Sequence, residues 1–413
     1  MDLTTLSLLG LVALALLFDY TNGFHDSANA IATVVATRVL RPRWAVAWAA
    51  FFNFIAFLVV GTAVANTVGQ TVRTEYFSMA VVFAALLGAV TWNYLSWHLG
   101  LPTSSSHALI GGLVGAGLAA GGTDAIKGAN VEKTVIFIVV SPVAGLLLGA
   151  LIMLVLRIVL RRADTERTER GFRWAQLASS AAVSVGHGGN DAQKTMGVIA
   201  GLLVSTGHLT QHGDKLPIPI WVVLLASGAI ALGTLSGGWR IVRTMGMKIT
   251  RLRPVSGFSA ETGAAFALFG STALGAPVST THTVAGAVSG VGLTNRGTTT
   301  NWSVFSRMAL AWLVTLPFSG VVGFLIWHLA TLSNRPASVA IMTVILVALV
   351  AVLAVAIRRA PKAADIDAET RVGGEVEIPL RPGAGTIIGS GTVPASAEVR
   401  AAGRVRARAQ QPL

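Results

Sequence analysis

Apolar runs of roughly 20 residues, long enough to cross a bilayer as helix, recur along this chain. They lie at Trp44–Val68, Phe77–His98, Thr134–Val159, Ile220–Trp239, Phe305–Leu329 and Val339–Ile357. Charge is scarce: 12% of the 413 residues, against about a quarter in soluble domains. Mean hydropathy is +0.68. The runs do not alternate with period two, which excludes a membrane barrel. The expected fold is therefore an all-α polytopic membrane protein. Its 45 glycines suit membrane helices that pack closely through small residues. There is no cysteine, hence no disulfide and no thiolate metal site. The opening MDLTTLSLLG lacks a basic n-region, so it reads as the start of a first membrane segment rather than a signal peptide.

Against this background two polar stretches stand out, NGFHDSANA at 22–30 and GHGGNDAQKTMG at 186–197. With Asp26 placed on Asp191, Asn22 falls on His187, His25 on Asn190 and Asn29 on Lys194, an offset of 165. A second pair follows in the same order, GLPTSSSHALIGGLVGAG at 100–117 and GAPVSTTHTVAGAVSGVG at 275–292, offset by 175. Two ordered pairs indicate a duplication.

Basic residues cluster at Arg38–Arg43, Arg157–Arg173, Arg240–Arg253 and from Arg358 onward. Placing those loops in the cytoplasm sets the N-terminus outside and the C-terminus inside the cell membrane. The motif-bearing segments 4–38, 101–120, 173–206 and 276–293 are expected to be broken membrane helices, crossing once each or re-entering. Five crossings per half invert the second half relative to the first, the arrangement of secondary transporters. The organisation that follows is a first inverted-topology repeat at 1–160, a basic cytoplasmic linker at 161–173 and a second repeat at 174–335. An extra membrane helix at 336–358 and a disordered basic tail at 359–413 complete it. The net charge of +13 sits in loops and tail, so nucleic acid is not an expected partner.

PTSSSH and PVSTTH each place proline and hydroxyl residues before a small, apolar run. This is the start of a short helix whose free N–H groups and dipole suit an anion. Ser104, Ser105, Ser106, Ser279, Thr280 and Thr281 are the candidate anion ligands; the bland alternative is that they only cap two buried kinks. Asp26 and Asp191 are intramembrane carboxylates, functional by default. Each can accept a hydrogen bond from a P–OH group or hold a cation that bridges to the anion, which favours phosphate over sulfate. Asn22, Asn29 and Asn190 are neutral ligands, Asn22 and Asn29 alternatively cross-helix bonds, and His25 and His187 are candidate proton relays. Glu261 serves coupling or lies at the interface. His107 and His282 read as structural. Lys194 either takes the electrostatic place of a coupling cation, or only pairs with Asp191, or snorkels to the membrane edge.

These motifs resemble the PiT family of inorganic phosphate transporters, whose hallmark is a duplicated G-x-N-D-x-x-N-A signature in inverted halves. The resemblance spans roughly 10–330. It implies cation-coupled uptake of phosphate, or of a neutral metal–phosphate complex, with Asp26, Asn29 and Asp191 binding phosphate or its coupling ion. The two serine–threonine segments would cradle the oxygens. Two departures concern the cation: Phe24-His25 precedes the first aspartate, and Gln193-Lys194 stands in the region of the second copy's Asn-Ala ending. Proton coupling is the expectation and sodium the alternative. The expected partners are inorganic phosphate, the coupling cation, the lipid bilayer and a second copy of the chain in a homodimer. No cofactor and no metal-ligating cluster is expected. The competing readings are a sulfate or other oxyanion permease, a passive channel, and a membrane enzyme acting on phosphate esters.

Overall fold

The long central helices owe their register to the polar motifs they carry. The computed structural model describes residues 3–372 apart from 212, 214 and 295–299. α1 (Leu3–Ala36) runs unbroken for 34 residues through NGFHDSANA. α7 (Thr165–Ser205) runs for 41 through GHGGNDAQK. The breaks expected within 4–38 and 173–206 are therefore absent. The physical reason is that a helix satisfies its own backbone, and the polar side chains find partners on neighbouring helices instead of unwinding their own turns. Residues 165–173 of the expected linker are also helical. Asp164 caps α7 through the Arg167 N–H at 2.8 Å, and Glu166 complements the first turn.

The breaks fall elsewhere. The run Trp44–Val68, which reads as one span, divides into α2 (Pro42–Ile55) and α3 (Ala63–Gly69), bent by 89°. α8 (Ile220–Ser236) and α9 (Trp239–Arg243) are bent by 63°, with a π-helical turn at Thr244–Lys248 following. Each bend frees backbone N–H groups that must be satisfied inside the bundle. At α3, Val64 and Ala65 donate to Gln193 Oε1 at 2.9 and 3.3 Å. At α9, Gly238 donates to Ser27 Oγ at 2.6 Å. The residues that follow Asp26 and Asp191 thus cap bent helices from the opposite half of the chain.

The remaining elements pair along the sequence. α4 (Met79–His98) and α10 (Pro254–Ala273) each end at a glycine in the left-handed region, Gly100 (φ 66°) and Gly275 (φ 63°). There the chain turns into the short helices α5 (Ser105–Gly121) and α11 (Thr280–Thr294). α6 (Gly128–Val159) and α12 (Trp302–Ala330) follow, each with a proline inside, Pro142 and Pro317. Packing is exchanged between the halves. A Cβ on Gly111 of α5 would lie 2.3 Å from the Leu316 carbonyl of α12. One on Gly286 of α11 would lie 2.1 Å from the Pro142 carbonyl of α6. Only glycine permits that approach.

Six helices among the described residues are long and apolar enough to cross a membrane: Thr4–Ala36, Met79–His98, Ser105–Ala125, Gly128–Val159, Trp302–Ala330 and Pro336–Val355. The count is eight if each bent pair is one span. The eleven crossings expected from sequence exceed this count. α7, α10 and α11 are not among the six, and they carry much of the polar site.

α13 (Arg335–Arg358) is followed by α14 (Ala363–Val372). The expected disordered tail from 359 thus opens with a helix. It is held by the buried Ile366, the Arg243–Glu369 ion pair at 2.6 Å and a bond from Arg38 to the Thr370 carbonyl. The described residues up to Thr370 form one unit. The remainder of the expected tail, 373–413, lies outside the described residues.

Candidate functional site

Along α1, Asp19, Asn22, Asp26, Asn29 and Thr33 recur at intervals of three and four, which puts them on one helical face. All five are buried. Along α7, His187, Asp191 and Lys194 do the same, also buried. The two faces meet at the aspartates. One ligand atom each from Asp26, His187 and Asp191 lies within 4.8 Å of the others.

The two aspartates are held differently. Asp26 Oδ1 is 2.5 Å from His25 Nδ1 and accepts from Thr281 Oγ1 at 3.4 Å. His25 Nε2 reaches Ser96 Oγ at 3.0 Å and Thr103 Oγ1 at 3.4 Å. Asp191 Oδ1 is bonded to the Lys194 ammonium, and Asp191 Oδ2 stands 3.2 Å from His187 Nε2. Lys194 also donates to Ser106 Oγ and, at 3.2 Å, to the Val278 carbonyl. Lys194 is 1% exposed, so it does not snorkel to a membrane edge.

The starts of α5 and α11 converge on this centre. Ser104 and Ser279 act alike: each side-chain oxygen accepts the backbone N–H three residues on, from His107 and His282, at 3.2 Å. They are N-caps, with their oxygens already engaged. Ser106 binds Lys194 and donates to the Val278 carbonyl at 3.1 Å. Asn29 Nδ2 donates to both Thr280 and Thr281 at 2.9 Å, leaving its Oδ1 without a partner. Ser105 Oγ is buried and unpartnered. The equivalent residues His107 and His282 touch edge to face, ring centroids 4.9 Å apart. His282 stacks on Trp312 at 4.1 Å. The His107–His282 contact brings the first turns of α5 and α11 together.

Three sequence candidates stand apart. Asn190 donates to Thr272 Oγ1 at 2.9 Å and the Ala276 carbonyl at 3.2 Å, facing α10 and the loop after it. Glu261 accepts from Thr33 at 2.5 Å, from Gln176 at 3.0 Å and from Ser179. Thr33 lies seven residues beyond Asp26, about 10 Å further along α1 at 1.5 Å per residue. Asn22 is fully buried with neither amide atom bonded.

Sequence reading leaves out His187 as a ligand and expects no metal-ligating cluster, yet the fold gathers an imidazole and two carboxylates. His187 lies one turn before Asp191, a spacing that places both on one face. Also missed is Asn53, which bridges His187 Nδ1 (3.3 Å) to Thr234 Oγ1 (2.9 Å). Gln193, Ser27 and Asp19 are missed too; for Asp19 the legible signal is its spacing of seven from Asp26.

Chemically, the centre offers two carboxylates, one ammonium, two imidazoles and the N-termini of two short helices, all buried. It suits an anion accompanied by positive charge. Residues 22–323 match the model of the phosphate transporter family. This chain belongs to that family. A Rhizobium meliloti (strain 1021) protein named a probable low-affinity inorganic phosphate transporter is 51% identical over 326 residues, covering 79% of this chain and 97% of its own. One of the same name from Bacillus subtilis (strain 168) is 39% identical, covering 78% and 97%. In fold, the chain is similar to a solved structure described as the sodium-dependent phosphate transporter. Its TM-score is 0.70 at 24% identity, over 79% of this chain and 99% of that one. Family membership makes this transporter chain a multi-span membrane protein, not the phosphoester enzyme that its histidines and aspartates left open.

Proposed function

We propose that this chain is a secondary active transporter that imports inorganic phosphate by cation symport, with the proton as coupling cation. The observation that carries the reading is the convergence of Asp26 and Asp191, from two copies of one motif, beside the first turns of α5 and α11. Phosphate at neutral pH carries both acceptor oxygens and a P–OH group. The helix N-termini and Ser105 supply donors to the former, and a carboxylate accepts from the latter. Lys194 supports proton coupling. Its ammonium already supplies a compact, fixed positive charge beside Asp191, the electrostatic role of a bound sodium ion at that position. The Asp26–His187–Asp191 group is where a metal accompanying phosphate would be held, two carboxylates and an imidazole being ordinary ligands.

The repeated motifs, the two bent pairs and the exchanged packing support two inverted halves rocking about the shared centre, the usual basis of alternating access. The distribution of basic loops supports an external N-terminus and a cytoplasmic C-terminus. A second reading, sodium symport, draws on the sodium dependence named for the solved transporter of similar fold. Phosphate uptake into proteoliposomes, with proton and sodium gradients imposed separately, decides between them. Accumulation under an inward proton gradient, unchanged by sodium, is expected. Strict sodium dependence overturns the proton assignment, and inhibition by sulfate equal to that by phosphate overturns the substrate.

A further inference from the structure

The polar face of α1 continues past the central site. Asp19 lies seven residues before Asp26, about 10 Å away along the helix axis. It is 0% exposed, and neither carboxylate oxygen makes a hydrogen bond of normal geometry among the described residues. Asn22, one turn further on, is equally buried with both amide atoms unbonded. Thr195, next to Lys194 on α7, is buried with its hydroxyl unbonded. These are the two polar side chains that act on the Asp19 carboxylate. Asp191 and Lys194 reach it through their charges.

A buried carboxylate whose polar neighbours make no hydrogen bond of normal geometry to it is a severe electrostatic burden for a membrane helix and marks a functional position. The atoms available around it are of one kind. Asp19 contributes two carboxylate oxygens, Asn22 an amide oxygen and Thr195 a hydroxyl oxygen. Hard oxygens carrying one formal negative charge, with no imidazole or sulfur among them, suit a single positive charge rather than a transition metal. We propose that Asp19, Asn22 and Thr195 form a binding site for a monovalent cation, distinct from the Asp26–His187–Asp191 cluster. The site rests on the transport reading only in that its occupant is taken as the coupling cation. Filling it removes the repulsion between Asp19 and both Asp191 and the arriving anion. Cation and phosphate therefore raise each other's affinity, as linkage requires. Proton and sodium are two sources of the same charge.

The test uses the purified full-length chain. Thermal unfolding is followed without phosphate, in sodium against choline chloride and over a pH series, then repeated with added phosphate. The wild type should gain stability with one cation, sodium or proton naming itself by which series responds. Asp19→Asn should lose that gain while keeping the shift given by phosphate. In proteoliposomes the same variant should lose gradient-driven accumulation at least tenfold. Thr195→Val, close to isosteric, should weaken cation dependence several-fold, and it carries the test should Asp19→Asn fail to fold. A wild-type cation response that survives both substitutions overturns the site. So does a folded Asp19→Asn protein that no longer responds to phosphate. Should the wild type carry no phosphate, the transport reading fails, while the Asp19-dependent cation response still stands or falls by itself.

Discussion

Asp26 and Asp191 occupy the same place in two copies of one motif, but their surroundings have diverged. The Asp26 half is held by His25 and Thr281, with Asn29 spanning the first turn of α11. The Asp191 half contains a fixed ammonium, and that ammonium reaches across to Ser106 of α5. Duplication supplied the geometry twice, and the copies then differ at several aligned positions, among them Asn22 against His187, His25 against Asn190 and Asn29 against Lys194; the last of these places a fixed ammonium in one half alone. Asp26 is thereby paired with an imidazole, whose charge can change, while Asp191 is paired with an ammonium as well.

The contrast is easiest to break at its source. Lys194→Met removes one member of a buried ion pair and strands Asp191, a change that typically costs about 3–5 kcal/mol. Phosphate uptake should be abolished and the unfolding temperature of the purified protein should fall. Adding Asp191→Asn should recover much of the stability without restoring uptake. Normal transport by Lys194→Met would show that the two halves do not differ in function.

A smaller difference separates the aspartates themselves. Asp26→Asn and Asp191→Asn should both lose accumulation, but Asp191→Asn also leaves Lys194 buried and unpaired. Its stability loss should exceed that of Asp26→Asn by roughly 2–3 kcal/mol, below the full range for a broken pair because Ser106 and Val278 still bind the ammonium. Equal unfolding curves would count against the asymmetry.

Next come the equivalent hydroxyls Ser106 and Thr281. Ser106→Ala removes an acceptor from an ammonium, a bond worth about 1.5–3 kcal/mol, so apparent phosphate affinity should drop roughly tenfold or more. Thr281→Ala loses a longer contact to a charge, 3.4 Å to Asp26, and a neutral bond from Asn29, which keeps Thr280 as acceptor, and should cost about 0.5–1.5 kcal/mol. Concentration dependence of uptake measures both, and the reverse order would contradict the geometry. The smallest effect belongs to the caps, where the halves are alike. Ser104→Ala and Ser279→Ala should each lower stability by about 1 kcal/mol, matching one another in denaturation experiments.

Much of this was legible in the sequence, because pattern and composition carry it. Apolar runs gave the membrane class, and the paired motifs gave the residues that meet at the centre. What escaped depends on partners distant in the chain. Nothing within NGFHDSANA says that its helix continues unbroken; that follows from the neighbours awaiting each polar group. Nothing in FIAFLVVGTAVA announces an 89° bend, since its freed N–H groups are met by Gln193, more than a hundred residues away. The glutamine that looked like a departure from the family signature is what makes that bend tenable. Ala363–Val372 reads as tail by composition, and only the buried Ile366 and the Arg243–Glu369 pair give it a place.

The exchange of packing between α5 and α12, and between α11 and α6, also fixes an order of events during synthesis. When α5 leaves the ribosome, the carbonyl at Leu316 against which Gly111 will rest does not yet exist, and α6 waits likewise for α11. The glycine faces of the nascent first half must stay loosely lodged in lipid or under the care of the insertion machinery until the second half arrives. Biogenesis of this chain therefore has a late closing step, and a premature stop after α6 would leave a fragment with no partner for its most closely packed surfaces.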